Sequence, residues 1–219
     1  MSTLQDSHLK IALCGVPGAG KTSLAKALSE RLHLPLIYQG TKELRATVGD
    51  VGKMPPFWRM NEVQRVMYQL NLIQYRLEIE KKYSHFVADG CALDLLVWYR
   101  LCSWLVPFDQ KMTTMQGLSQ SAQNYDYVFY LPYYQPPEFA PGDEMNAVDP
   151  FNILTADFVL KGVVSWCMHS GMKIYVIQTP PVIASTSPDV DNVQAALESR
   201  VQEVLDIVVQ KQQPVGSVQ

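Results

Sequence analysis

The sequence lacks the features typical of fibrous, disordered or disulfide-rich proteins. Charged residues make up only 18% of the 219 residues and hydrophobic residues 47%, an ordinary mixture for a chain that buries a core. The four cysteines are scattered in apolar stretches without a CxxC pair, which predicts buried thiols in a reducing compartment rather than a disulfide framework or a zinc site. A basic excess is also missing, since the net charge is −3, and this disfavours a general role in binding nucleic acid.

Long hydrophobic runs are missing as well. The first ten residues contain neither a basic segment nor a long apolar one, so they do not resemble a signal peptide. The most apolar stretch, Leu93 to Phe108, is too short to span a bilayer and is interrupted by Asp94 and Arg100. We therefore expect a cytoplasmic protein that does not associate with membranes.

Positive charge is absent from a long central stretch, because no lysine or arginine occurs from Met112 to Leu160. Residues 1–111 hold 14 Lys and Arg against 10 Asp and Glu, a balance of +4. Residues 112–219 hold 4 against 11, a balance of −7. Groups that bind phosphates are therefore expected mainly in the first half of the chain.

The hydrophobic pattern predicts an α/β protein. Short apolar runs predict five strands, at Leu9–Cys14, Pro35–Gln39, Phe86–Asp89, Tyr127–Leu131 and Lys173–Ile177. Helical spacing predicts helices at Lys21–Leu32, Thr41–Val48, Asn61–Tyr83, Leu93–Leu105, Phe151–His169 and Val193–Gln210. This alternation favours a parallel sheet with helices on both faces, in one three-layer domain over residues 1–219. Within it we expect an acceptor-side insertion at about 40–84 and a proline-rich loop at about 132–150.

The predicted helix Asn61–Tyr83 contains an apolar stripe. Val63, Met67, Leu70 and Leu77 fall on one face at helical spacing, and no glycine or proline interrupts the helix. Packing of this stripe into the core is the favoured interpretation. Pairing with a second copy of the chain is the alternative.

The strongest motif is GVPGAGKT, which begins at Gly15 and matches the phosphate-binding pattern G-x-x-x-x-G-K-[ST] in full. A predicted strand precedes it and a predicted helix follows it, as a phosphate-binding loop (P-loop) requires. Its glycines let successive N–H groups point at an anion, Lys21 would reach the β- and γ-phosphates, and Thr22 would bind Mg²⁺. The residues expected to bind the donor nucleotide are Gly15, Pro17, Gly18, Ala19, Gly20, Lys21, Thr22 and Ser23.

Two acidic residues follow the third predicted strand. Asp89 ends that strand, and in a P-loop fold a strand beside the first strand brings such a residue close to the metal. Asp89 would bind Mg²⁺ or accept the proton of an attacking hydroxyl, with a plain strand-end turn as the alternative. Asp94 would face the acceptor, or would serve only as an acid in the first turn of the next helix.

The guanine-reading N-K-x-D pattern and the transporter signature LSGGQ are both absent from the sequence. The segments GVPGAGKTS, FVADGCALDLLVWYR, YDYVFYLP and ESRVQEVL occur in the order typical of P-loop nucleoside and nucleotide kinases. Over residues 8–210 the chain resembles this group, in particular the ribosylnicotinamide-kinase-like and phage deoxynucleoside-monophosphate-kinase members.

The resemblance implies a sheet ordered 2-3-1-4-5, ATP as donor and a requirement for Mg²⁺. It places Asp89 and Asp94 at a D-R-x-x-x-D-like motif, although Gly90 stands where the family has arginine. It also implies that Thr179 borders the adenine and that Arg200 lies on a closing helix near it. The family's lid arginines are missing, because the loop at 132–150 carries no lysine or arginine.

Any cationic clamp on the phosphates must therefore come from the first half of the chain. With Lys21 and Asp89, we predict Arg59 and Arg100 as catalytic residues. The acceptor is predicted to contact Lys42, Arg45, Phe57, Trp58, Arg65 and Asp94, with the two aromatic rings available to stack on a base. For each arginine, a solvated surface position is the alternative.

These residues predict transfer of the γ-phosphate of Mg·ATP to a small nucleotide acceptor, with a (deoxy)nucleoside monophosphate favoured by the first-half arginines. A nucleoside or ribosylnicotinamide-like acceptor is one alternative. A nucleotide-binding regulatory protein without transfer activity is another, motivated by Gly90 and by the missing lid arginines. The last is an ATPase that acts on a macromolecule.

Overall fold

The computed structural model describes residues 8–38, 55, 57–134, 150–180 and 190–212. Its strands are β1 (Lys10–Cys14), β2 (Leu36–Ile37), β3 (Phe86–Asp89), β4 (Tyr127–Tyr130) and β5 (Ile174–Val176). Its helices are α1 (Lys21–Leu32), α2 (Glu62–Glu80), α3 (Ala92–Cys102), α4 (Phe108–Ala122), α5 (Pro150–His169) and α6 (Val190–Gln212). A 3₁₀ turn, Phe57–Arg59, precedes α2.

The five strands form one parallel sheet in the order β2-β3-β1-β4-β5, which confirms the order 2-3-1-4-5. The apolar strand sequences explain the burial, because a parallel sheet is covered on both faces. The register pairs Leu13 of β1 with Asp89 of β3. The carboxyl ends of these two strands therefore lie side by side at the same edge of the sheet.

Helices cover both faces of the sheet, so the predicted three layers are confirmed. Ala12 and Cys14 of β1 point into a core shared with α2, α3 and α5. Ile11 and Leu13 point into the opposite core, which α1 and α6 close. Successive residues of a strand face opposite sides, and this alternation places one strand in both cores.

The buried face of α2 differs from the predicted stripe. Val63 is 61% exposed and Met67 49% exposed, whereas Gln69 and Arg76 are buried. The other two residues of the stripe are partly buried and pack against the core, so the prediction is wrong only for Val63 and Met67. There α2 turns a face with two polar residues towards α3 and the sheet, and apolar spacing alone cannot identify such a face. Pairing with a second copy through the exposed side chains stays a prediction.

Helix α4 was not predicted, because only Leu118 and Ala122 of its residues are buried and the apolar pattern is sparse.

The buried cysteines are confirmed, since Cys14, Cys91 and Cys167 are buried and free and Cys102 is partly buried. The predicted helix Thr41–Val48 lies outside the described residues, as does most of the predicted loop at 132–150.

Within the described part of the chain, one helix could cross a membrane by length and composition alone. It comprises Phe151–His169 of α5, and 33% of that window is buried. Core helices of water-soluble proteins pass the same test, so the signal is weak. The helix also carries the buried Asp157, whose carboxylate lies 2.6 Å from the Lys161 ammonium.

Candidate active site

The loop between β1 and α1 has the backbone geometry of a P-loop. Gly18 and Gly20 both have φ +86°, a left-handed conformation that side chains disfavour. A Cβ on Gly15 would lie 2.8 Å from the carbonyl oxygen of Leu131, so that position also requires glycine. The loop ends at Lys21, the first residue of α1, and the N–H groups of this helix terminus are available to an anion.

Lys21 is buried inside this loop, with only 7% of its surface exposed. Its ammonium donates hydrogen bonds to the carbonyl oxygens of Gly15 and Val16, the latter at 3.1 Å. The ammonium is therefore held at the centre of the loop. A phosphate bound there would interact with this positive charge and accept hydrogen bonds from the surrounding N–H groups.

The side chains of Thr22 and Asp89 meet at the carboxyl edge of the sheet. The Thr22 hydroxyl donates to Asp89 Oδ2 at 2.7 Å. Asp89 is 5% exposed, and its other oxygen, Oδ1, is buried without a hydrogen-bond partner among the described residues. A hydroxyl and a carboxylate with a free oxygen are the hard oxygen donors that Mg²⁺ prefers, so these two residues fit the metal that the sequence predicts.

Asp94 lies behind the P-loop and is only 2% exposed. Its two oxygens accept hydrogen bonds from the backbone N–H groups of Gly15 and Cys91, each at 2.9 Å. Both bonds of Asp94 are therefore to backbone groups of the protein, and neither is the predicted contact with an acceptor. Asp94 lies in the first turn of α3, as the alternative interpretation expects. Asp94 thus ties the start of α3 to the start of the P-loop.

Burial raises the pKa of Asp94 to about 6, and the Lys21 ammonium and the two N–H donors oppose this rise. A raised pKa means that folding favours the protonated carboxyl. Its contribution to stability is present below the unfolded-state pKa of about 3.9 and is lost as the pH rises through about 6.

We therefore expect the free energy of unfolding of the wild type, minus that of Asp94→Asn, to fall by about 2 kcal/mol between pH 4 and pH 7. Urea unfolding at four pH values measures this difference, because the asparagine does not titrate. A difference that stays constant across the range would contradict the assignment.

Two thiols lie next to this carboxylate. The ligand atoms of Cys14, Cys91 and Asp94 lie within 4.8 Å of one another, and all three residues are buried. Burial raises the pKa of the Cys14 thiol well above its ordinary value. Cys14 and Cys91 belong to the hydrophobic core beneath the P-loop.

Arg200 of α6 reaches the opposite side of the P-loop. Its guanidinium is 3% exposed and donates to Thr179 O at 2.9 Å and to Ala19 O at 3.0 Å. Its remaining nitrogen, Nη2, is buried without a partner, and burial lowers the pKa of the guanidinium. Thr179 and Arg200, both implied by the resemblance, therefore lie together beside the P-loop.

Replacing Gly20 by alanine is expected to lower the free energy of unfolding by about 1–2 kcal/mol, the cost of a side chain in the left-handed conformation. The new Cβ would also lie 2.8 Å from Arg200 Nη1, so the bond from Arg200 to Ala19 O must shift. Urea denaturation measures the loss. The matched control is Gly117→Ala, in the middle of α4 with no atom within 4 Å of the new Cβ, which should stabilise by about 0.5–1 kcal/mol. Equal effects at the two positions would contradict this prediction.

An aromatic cluster lies between α2, α3 and the 3₁₀ turn. The Phe57 ring centroid is 6.0 Å from that of Tyr68 and 6.5 Å from that of Trp98. The Arg65 guanidinium carbon lies 5.7 Å from the Phe57 ring centroid. The structure thus joins two of the predicted acceptor residues, Phe57 and Arg65.

In the part of the chain that the structure describes, three buried polar atoms next to this cluster have no hydrogen-bond partner. They are Arg65 Nε, Gln69 Oε1 and Tyr133 Oη. Buried polar groups are usually paired, so unpaired ones at a site indicate places for ligand atoms. Sequence reasoning missed Gln69, because it belongs to no motif and no spacing distinguishes it from core residues.

The other predicted cations are placed differently. Arg100 is exposed and lies 5.6 Å from the Trp104 ring centroid. Arg100 lies eight residues after the start of α3. At 1.5 Å per residue it is about 12 Å farther along the helix axis, and therefore farther from Lys21 and Asp89. Arg59 is exposed on the 3₁₀ turn. Lys42, Arg45 and the Trp58 side chain lie outside what the structure describes.

Comparison with known proteins agrees with this geometry. The family model described as AAA domain matches residues 10–148, more than half of the chain. No curated protein matches the chain.

Several solved structures share the fold. A deoxyadenosine kinase from M. mycoides with bound dCTP is 14% identical, with a TM-score of 0.62 over 92% of this chain and 100% of that one. A shikimate kinase from Acinetobacter baumannii in complex with shikimate is 16% identical, with a TM-score of 0.53 over 94% and 96%. The NadR protein in complex with NR is 12% identical, with a TM-score of 0.54 over 90% of this chain and 50% of that one. At these identities the likeness shows a P-loop kinase-like fold.

Proposed function

The chain belongs to the AAA domain family of P-loop proteins, and on this premise we propose that it is a kinase that transfers the γ-phosphate of Mg·ATP to a small nucleotide. The observation that carries the proposal is the contact between Thr22 and Asp89 at 2.7 Å, in which the second Asp89 oxygen stays buried and unpaired. This free oxygen lies beside the P-loop, where the γ-phosphate of a bound nucleotide would be.

On the donor side, the N–H groups of the loop and of the first turn of α1 would bind the phosphates, and Lys21 would neutralise their charge. Thr22 and Asp89 would hold Mg²⁺, which when bound neutralises charge on the phosphate oxygens. Thr179 and Arg200 would border the nucleoside, with Arg200 Nη2 as a free donor. Asp94 is proposed to fix the loop through Gly15 rather than to touch the acceptor.

On the acceptor side, Phe57 would stack on a base while Arg65 Nε and Gln69 Oε1 supply one donor and one acceptor. Arg65 is a cation in a half-buried position, which favours an acceptor that carries a phosphate. Lys42, Arg45, Trp58 and Arg59 stay proposed acceptor or catalytic residues on sequence grounds.

The chemistry differs between the two acceptor classes. In both, a bond forms between the acceptor oxygen and the γ-phosphorus while the bond from that phosphorus to the β,γ-bridging oxygen breaks. A monophosphate oxygen is already deprotonated, so Asp89 would act only as a metal ligand. A nucleoside hydroxyl loses a proton in the transfer, and Asp89 Oδ1 would accept it.

The test is a panel of nucleosides and nucleoside monophosphates with Mg·ATP, read as ADP release. We expect turnover with at least one monophosphate, and a larger KM for that acceptor in Arg65→Met with little change for ATP. The matched control is Arg31→Met. Arg31 is exposed in the last turn of α1, where it forms an ion pair with Glu198. A flat response across the panel would reject the proposal.

A second function stays open because Gly90 and the missing lid arginines remove cations that transfer uses. In that case the protein would be a nucleotide-binding regulator without transfer activity. Nucleotide binding that Lys21→Ala abolishes, in a wild type that phosphorylates no acceptor, would favour this function. Steady ATP hydrolysis stimulated by a protein would instead favour an ATPase that acts on a macromolecule.

A further inference from the structure

Arg76 of α2 is a fully enclosed cation that the proposed reaction does not use. Only 2% of its surface is exposed, although burying a guanidinium is costly unless each donor is paired. Its donors are paired with three backbone carbonyl oxygens and with the carboxylate of Glu80. Such a site requires the planar, branched donor set of arginine.

The three carbonyl groups belong to the points where the chain leaves the sheet. Arg76 donates to Tyr38 O at 2.7 Å, directly after β2, and to Asp89 O at 3.1 Å, at the end of β3. It also donates to Gly90 O at 2.6 Å. Gly90 has φ +82°, a left-handed conformation that favours glycine at this turn.

Glu80 and Tyr125 extend the contact to α3. The Tyr125 hydroxyl donates to the Glu80 carboxylate, at 2.9 and 3.1 Å from its two oxygens. The same hydroxyl accepts from the N–H of Ala92 at 3.2 Å. The segment from Asp89 to Ala92 is therefore held at both of its ends by one buried network.

We propose that Arg76 is a positioning residue that sets the Asp89 carboxylate against Thr22 and thereby determines how tightly the site holds a divalent cation. Arg76 acts through the backbone carbonyl groups of Asp89 and Gly90, to which its guanidinium donates. The inference rests on the proposed metal site and assigns it a residue that no motif marks. Groups of this kind commonly change metal affinity about 10–100-fold when they are replaced.

The test uses Mn²⁺ as a spectroscopic probe of the protein with ATP bound, measured by electron paramagnetic resonance. In Arg76→Lys the charge remains beside Glu80, but one ammonium cannot serve all three carbonyl groups. We expect Mn²⁺ affinity to fall about tenfold or more, while the affinity for ATP without metal changes less than twofold. The control Arg31→Lys, at an exposed ion pair, should change neither.

A double-mutant cycle separates positioning from general loosening of the fold. If Arg76 acts through Asp89, the Arg76→Lys change should have no further effect on Mn²⁺ affinity in an Asp89→Asn background. An equal loss in both backgrounds would overturn the proposal. So would a folded Arg76→Lys protein with the Mn²⁺ affinity of the wild type.

Tyr125→Phe keeps the proposal testable if Arg76→Lys does not fold. It removes only the hydroxyl between Glu80 and Ala92, so a smaller loss of Mn²⁺ affinity in the same direction is expected, and no loss would count against the network. Failure of the kinase proposal is separately visible, because it would appear as a wild type that binds Mn²⁺ and ATP but phosphorylates no acceptor.

Discussion

Lys21→Ala is expected to lower kcat for phosphoryl transfer by about 10²–10³-fold, the usual effect of removing one group that stabilises transition-state charge. Lys21 is the cation at the centre of the P-loop, buried and bonded to Gly15 O and Val16 O. Alanine removes that charge and leaves both carbonyl groups without this donor. Steady-state kinetics with the best acceptor of the panel measure kcat. Calorimetric titration measures the affinity for ATP.

The matched control is Lys26→Ala, which removes the same charge from the same helix. Lys26 is exposed one and a half turns after Lys21 and has no part in the loop. We expect activity close to that of the wild type. If both lysine variants lost activity equally, the effect would come from overall charge, and the role assigned to Lys21 would be wrong.

Asp89→Asn is expected to lower kcat by about 10²–10³-fold, because it removes the charge that would hold Mg²⁺ at the transferred phosphate, and to raise the Mg²⁺ concentration needed for half-maximal activity. The asparagine side-chain oxygen can still accept a hydrogen bond from the Thr22 hydroxyl, and the side chain keeps its size. It loses the negative charge and one of the two carboxylate oxygens, of which Oδ1 is the unpaired one.

The control for this change is Asp109→Asn, at an exposed position in the first turn of α4. Its Mg²⁺ dependence should match the wild type. The acceptor also decides how Asp89 acts. A nucleoside acceptor predicts that excess Mg²⁺ does not restore Asp89→Asn, since the base is missing, whereas a monophosphate acceptor predicts partial recovery. An Asp89→Asn protein with normal kcat and normal Mg²⁺ dependence would contradict both roles.

Local sequence patterns were sufficient for the donor side of the site. The P-loop is contiguous, and its glycines, lysine and threonine have their roles through positions relative to one another. Asp89 could be predicted because it ends a strand expected to lie beside β1. The carboxyl ends of the two strands then meet at the sheet edge from which the P-loop begins. The sheet order agrees with the resemblance, and the five strands were located within a few residues of their bounds.

The acceptor side could not be derived in the same way, because its residues are far apart in the chain. Spacing on α2 favoured Val63 and Met67 as buried, whereas tertiary packing buries Gln69 and Arg76 instead. Arg100 was a reasonable candidate from its distance to Asp94 along the chain, but α3 runs away from the P-loop. Asp94 was predicted near the acceptor, and its hydrogen bonds to Gly15 and Cys91 depend on how α3 docks behind the loop.

The sequence by itself determined the α/β architecture and the P-loop, because these depend on periodicity and on one short motif. Only the tertiary structure decided how the parts meet. Parallel pairing of β1 with β3 brings Asp89 to 2.7 Å from Thr22, and the enclosed Arg76 joins the ends of β2 and β3. The physical reason is that a buried polar group takes its role from its partners. The Thr22 partner of Asp89 and the carbonyl partners of Arg76 lie 13 to 67 residues away along the chain.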